Sequence, residues 1–123
     1  LPTLEGSKDQ GSIIMIIATD IPLSERQLKR LCNRTPVSLG RCGSYMGNGS
    51  GDIAIAFTTA NRVPHYSSGK FLSMNMIHDN DIDSVFQATV EATEEAIISS
   101  LYHAGSVTGI RGKCAHSLRE FIG

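Results

Sequence analysis

The chain has little that would mark it for a polyanion, a bilayer or an oxidising compartment. Net charge is −1 at pH 7 over 123 residues, which excludes the cationic surface that nucleic acid or an anionic membrane would select. The longest apolar run falls well short of the ~20 residues of a spanning helix. Leu1 to Gly11 has a charged and polar interior and lacks the apolar stretch of a secretory signal. Cys32, Cys42 and Cys114 are an odd number without CxxC spacing. That argues against a disulfide framework or a structural zinc site and favours a reduced, cytoplasmic setting. There is no initiator Met, no internal repeat and no low-complexity segment. The expectation is a processed or truncated piece of something longer.

Familiar catalytic signatures are missing too. The glycine-rich stretch lacks the GxxxxGK[ST] spacing and follows no strand directly, so a P-loop is rejected. His65, His78, His103 and His116 sit in no motif, and no Ser-His-Asp arrangement suggests itself. They are read as surface or capping residues. Glu94 and Glu95 are adjacent but have no evident partner for acid/base work. Cys42 is read as a small apolar filler in preference to a nucleophile.

What is present is an ordinary globular composition, with 41% apolar and 19% charged residues. That suffices for one domain with a modest core. Gly11 and Ser12 run into the apolar stretch Ile13 to Ala18, which reads as a strand from Ser12 to Thr19 covered on both faces. Ser24 with Gln27 makes a capping-box pattern for a helix through Leu28, Leu31 and Cys32, ended or kinked at Pro36. Arg26, Lys29, Arg30 and Arg34 form its solvated basic face. Five glycines between Gly40 and Gly51 require a sharply bending backbone. A second strand, Asp52 to Thr59, alternates Ile53, Ile55 and Phe57 with alanines, whose small side chains predict a close neighbour such as another sheet.

Asn61 to Asp81 reads mostly as loop, with a possible short strand at Phe71 to Met76. Asp83 to His103 is the clearest helix, with Phe86, Val90, Ile97 and Leu101 on one stripe, Asp83 as N-cap and Gly105 as stop. Val107 to Cys114 reads as a polar turn region and Ser117 to Ile122 as a closing helix. The order βαβα gives too few strands for a self-sufficient open sheet. The remainder lies elsewhere in the chain or in a partner.

The chemistry suggested by Ser12 needs no histidine. A serine hydroxyl is inert until a base takes its proton. If the Gly11–Ser12 bond is cut, Ser12 gains a free α-amine, which titrates near 7.7–8.0 and is partly neutral at physiological pH. Hydroxyl and base then belong to one residue. Glycine before the serine permits the backbone strain that attack on its own carbonyl would require.

Three stretches carry a resemblance: Gly11 to Asp20, Gly47 to Asn61 (GNGSGD at its start) and Phe86 to Ile97. On these the chain resembles the L-aminopeptidase/D-Ala-esterase/amidase family (DmpA) and its β-aminopeptidase relatives, over nearly all of its length after residue 11. The GNGSGD loop is the most specific element.

The resemblance implies a four-layer αββα sandwich of α/β class shared by a larger α subunit and a small β subunit from one self-cutting precursor. Residues 1–11 would be the flexible tail of the α segment, and 12–123 the β-subunit half. It implies Ser12 as nucleophile, with Ser50 and Asp52 assisting it and oxyanion donors from the α subunit. It further implies cleavage between Gly11 and Ser12, homo-oligomers of αβ units, and short peptide, amide or ester substrates. No metal or organic cofactor is implied. The alternatives kept are an acyltransferase of the ornithine-acetyltransferase type and a non-catalytic subunit.

Overall fold

In the computed structural model, residues 11–109, 112 and 114–115 are described. The apolar run after Ser12 forms strand β1 (Ile13–Thr19), and the stretch after the glycine loop forms β2 (Asp52–Thr58). They pair in parallel, from Ile13 opposite Asp52 to Thr19 opposite Thr58. Parallel neighbours need a crossover. Two helices supply it, α1 (Glu25–Cys32) and α2 (Thr35–Arg41). A 3₁₀ turn (Asp79–Asp81) leads into α3 (Asp83–His103), and Val107–Thr108 (β3) pairs antiparallel with Cys114–Ala115 (β4).

The capping box forms as expected. Ser24 Oγ accepts from the Gln27 N–H at 3.1 Å, and Gln27 Oε1 accepts from the Ser24 N–H at 3.0 Å. The Gln27 amide group also donates to Ile77 O at 2.8 Å and Asp79 Oδ1 at 2.9 Å. Gln27 is therefore fully buried without an unmet polar group, and it ties the long loop to α1. Asn61 closes that loop at its base: its side chain donates to Asn75 O at 2.7 Å and accepts from the Asn75 N–H at 2.9 Å. No strand forms at Phe71 to Met76.

Helices cover one face of the sheet. Leu23, Leu31, Ile82, Val85 and Phe86 form one buried cluster, against which Ile17 packs; Met15, Leu39 and Ile97 form a second, with Ile13 and Ala54 beside it. Burying each large aliphatic side chain stabilises by roughly 1.5–3 kcal/mol. Ser38, wholly buried, donates its hydroxyl to Val90 O at 2.8 Å and joins α2 to α3. Arg30 and Arg34 hold their guanidinium groups 4.9 and 4.2 Å from the Phe86 ring centre. The basic face is thus partly packed as well as solvated.

Several expectations are corrected. β1 is covered on one face only: Met15 is 8% exposed but Ile14 and Ile16 are 68% and 69% exposed. Among the described residues the layer for the other face is missing, so the apolar side chains of Ile14, Ile16, Ile53, Ile55 and Phe57 stand open. Ala54 on β2 meets helix-side residues and not a second sheet.

Pro36 sits in the first turn of α2, where its missing N–H costs nothing. The helix carries on through Gly40, the first glycine of the stretch expected to bend sharply. Asp83 is not the cap of α3; Ile82 is, because the 3₁₀ turn feeds straight into the helix. The apolar stripe of α3 ends at Ile97, and Leu101 is exposed. The Val107 to Cys114 turn region carries a short strand pair. The tail at 1–10 and the closing helix at 117–122 lie outside the described residues. Among the described residues no helix is long and apolar enough to cross a membrane.

Candidate active site

Parallel pairing places the starts of β1 and β2 side by side. Ser12 immediately precedes one strand and Gly51 the other. Residues distant in sequence therefore meet at one rim of the sheet. The Gly51 N–H donates to Ser12 Oγ at 3.2 Å. On either side of Gly51, Ser50 Oγ donates to Asp52 Oδ1 at 2.9 Å. Ser50 is also held by its own N–H, which donates to Gly47 O at 2.9 Å. Ser12 is exposed, and Ser50 and Asp52 are half-buried.

The glycine loop earns its composition at two places. Gly43 has φ +97°, a conformation that a side chain resists. Gly51 comes close to the serine: a Cβ there would lie 3.6 Å from Ser12 Oγ and meet nothing else within 4 Å. Met46 takes φ +53° without being glycine, a strained choice costing about 1–2 kcal/mol. Met46 and Asp52 border a cavity of about 270 Å³, lined also by Met15, Cys32, Thr35 and Leu39.

All three predicted site residues thus converge on one rim. The hydroxyl of Ser50 is engaged by Asp52, and the recorded hydrogen bond to Ser12 Oγ comes from the backbone of Gly51. That donor was missed in the sequence. Its only signal was its position between Ser50 and Asp52.

The other candidates are placed elsewhere. His65 stacks edge-on against Tyr66, His78 caps the 3₁₀ turn by accepting the Asn80 N–H, and His103 lies within hydrogen-bond reach of Ser99. These are surface and capping roles, as expected; His116 lies outside the described residues. Glu94 pairs with Arg41 at 3.1 Å. Cys42 is exposed, so it fills no core position. Burial pushes the half-buried Cys32 thiol above its ordinary pKa, keeping it neutral. Among the described residues no group of three or more His, Cys, Asp or Glu is arranged to hold a metal ion.

The parallel crossover thus sets a strand-leading serine against a glycine loop. A model of peptidase family S58 matches residues 2–115, and the chain belongs to that family. It is 42% identical over 102 residues to the beta-peptidyl aminopeptidase BapA of Sphingosinicella microcystinivorans, covering 83% of this chain and 26% of that protein.

Among solved structures, the PH0078 protein of Pyrococcus horikoshii OT3 is 49% identical, with a TM-score of 0.84 over 91% of this chain and 32% of that one. The L-aminopeptidase D-Ala-esterase/amidase of Ochrobactrum anthropi, described as a prototype for the serine aminopeptidases and a variant of the Ntn hydrolase fold, is 38% identical. Its TM-score is 0.77 over 85% of this chain and 30% of that one. The fold is accordingly α/β of the Ntn hydrolase type, and the described residues supply one helix layer and one sheet layer of it. The chain spans about a quarter of the length of the curated relatives it matches.

Proposed function

We propose that this chain is the smaller, nucleophile-bearing part of a self-processing aminopeptidase, with Ser12 as nucleophile and Ser50 and Asp52 as its assistants. The observation that carries the reading is the Gly51 N–H bond to an exposed Ser12 hydroxyl, at the rim where Ser50 and Asp52 are joined. Membership of a peptidase family and likeness to a serine aminopeptidase support it.

In the uncut chain the nitrogen of Ser12 is an amide and cannot act as a base. Maturation begins when Ser12 Oγ attacks the Gly11 carbonyl carbon. The C–N bond to Ser12 breaks, the hydroxyl proton passes to the departing nitrogen, and an ester joins Gly11 to Ser12 Oγ. Water then attacks that ester, leaving Gly11 with a carboxylate and Ser12 with its hydroxyl and a free amine.

In turnover the neutral amine takes the hydroxyl proton as Oγ attacks the substrate carbonyl. It returns a proton to the leaving amine, and an acyl-enzyme remains. The same amine then takes a proton from water, which releases the acyl group as an acid. Asp52 holds the ammonium form by a charge-assisted hydrogen bond, and Ser50 orients the transfer. The substrates are short peptides, amides or esters with a free amino terminus. The larger segment of the same precursor supplies the oxyanion donors and the missing layers, and the αβ units form homo-oligomers in the cytoplasm. The whole chemistry runs without a metal or organic cofactor.

Replacing Ser12 by Ala in the full precursor tests this. Scission should stop and peptidase activity should fall by at least ten-thousand-fold, roughly the scale on which serine hydrolases lose turnover when the nucleophile is removed. A Ser12→Ala protein that still cuts itself and turns over substrate overturns the reading.

A further inference from the structure

The sheet face that carries Ser12 has an order that the chemistry above does not use. Side chains alternate along a strand. Ile13, Met15 and Ile17 pack toward the helices, so Ser12, Ile14 and Ile16 share the open face. On β2 the open face belongs to Ile53, Ile55 and Phe57. Ile14 pairs with Ile53, and one step back the same register sets Ser12 beside Gly51, in agreement with their hydrogen bond.

The face therefore begins with a rung of Ser12 and Gly51, followed by a rung of Ile14 and Ile53. The first rung is a notch. Gly51 brings no side chain, and a Cβ built there would meet only Ser12 Oγ. The second rung lies about 6.6 Å further along, two residues of strand. Its side chains are 68% and 54% exposed. None of the six side chains that Ser12, Ile14, Ile16, Ile53, Ile55 and Phe57 place on this face is charged.

An acyl group on Ser12 Oγ has its carbonyl carbon bonded to that oxygen. The notch at Gly51 is the free space beside it. Among the described residues, the next side chains on the same face are those of Ile14 and Ile53. We propose that Ile14 and Ile53 form the floor of the pocket that receives the side chain of the residue transferred to Ser12, and so select it by size. The inference rests on Ser12 being the nucleophile and adds the determinant of which residue is released. Two aliphatic side chains reward apolar contact and offer nothing to a charge, whose desolvation would go uncompensated. The favoured acyl residue is uncharged, and its bulk is limited by the two isoleucines. The larger segment of the precursor covers the face further along, from Ile16 and Ile55 onward.

The test uses the full precursor after maturation. Ile14→Ala, Ile53→Ala and Ile53→Phe are compared with the parent on Ala, Leu and Lys p-nitroanilides, or their β-homologues where the parent prefers those. The readout is the ratio of kcat/KM values for Leu and Ala. Each Ala variant should raise the ratio at least about fivefold, because pocket volume changes of this size are worth ten-fold or more per methylene. Ile53→Phe should lower it by a similar factor, and Lys should remain the poorest substrate throughout.

Self-scission is the internal control, since its acyl residue is Gly11, which has no side chain to seat. A variant that is merely misfolded loses scission and all turnover together. In that event Ile14→Val and Ile53→Val, each smaller by one carbon, carry the comparison. Ratios that stay at the parent value in scission-competent variants overturn the floor while leaving the nucleophile in place. Activity persisting in Ser12→Ala overturns the nucleophile itself.

Discussion

Ser50 and Asp52 are hydrogen-bonded at 2.9 Å around Gly51, whose own N–H reaches Ser12 Oγ. Two side chains thus brace the peptide that touches the proposed nucleophile. Asp52→Asn keeps the shape and removes the charge. A free α-amine needs to be neutral to act as a base, so activity rises with pH through its pKa, about 7.7–8.0 when unperturbed. The Asp52 carboxylate favours the ammonium form. Without it the amine loses its proton more readily, and the acidic limb of the kcat/KM profile should move to lower pH. Ser50→Ala should lower kcat by roughly 100-fold, the lower end of what a positioned proton-transfer group contributes. A limb that stays put in Asp52→Asn would separate Asp52 from the amine.

Gly51→Ala tests the notch directly. The added Cβ lies at ordinary contact distance from Ser12 Oγ, 3.6 Å, with nothing else near. The fold should tolerate it, with Tm within a degree or two of the parent by calorimetry. The approach of a carbonyl to the hydroxyl becomes crowded, so the rate of self-scission should fall by up to about a hundredfold, the scale on which a misplacement of about 1 Å is felt. It is followed by gel mobility of the two fragments.

Asp79 makes stability depend on acid. The side-chain amide of Gln27 and then the Arg26 guanidinium hold its carboxyl below the usual carboxylate range. A lowered folded pKa means the stabilisation is fully present above the unfolded value, about 3.9, and is lost as pH falls through the folded one. The urea midpoint of the full precursor should therefore drop below pH 4 by more in the parent than in Asp79→Asn. Equal slopes for the two proteins would remove Asp79 from the acid response.

The contact between α2 and α3 should respond to small changes. Ser38→Ala removes a buried hydroxyl and leaves the Val90 carbonyl with its helical donor alone, a loss of about 1 kcal/mol. Leu31→Ala, in the first core cluster, should cost about 2–5 kcal/mol. Both are measured by denaturant unfolding of the full precursor, and Ser38→Ala should leave the selectivity ratios untouched.

Both main strands, the capping box and α3 were legible because each is written locally: an apolar run, a Ser24–Gln27 spacing, a 3.6-residue stripe. The three side chains to which the resemblance pointed meet at one rim, because they lie in two short stretches that the parallel register brings together. What stayed hidden depends on non-local partners. The open face of β1 looks fully buried in sequence, since Ile14 and Ile16 are as apolar as Ile13 and Met15, yet no described residue covers them. Pro36 reads as a breaker, yet here it stands in the first turn of α2, where proline suits a helix start. The Gly51 N–H could not be foreseen, because a backbone donor leaves no mark in the residue type and its aim follows from the register of two strands.

One rim of the sheet gathers the strand starts and the other gathers the strand ends, seven residues of β1 away, or about 20 Å. The Asn61-clamped loop leaves from the far rim. Sequence drift, a grafted epitope or a reporter inserted between Arg62 and Met74 would therefore sit downstream of the sheet, with the reacting end facing away. The direction of two strands thus sets that loop and the proposed reacting rim at opposite ends of the sheet.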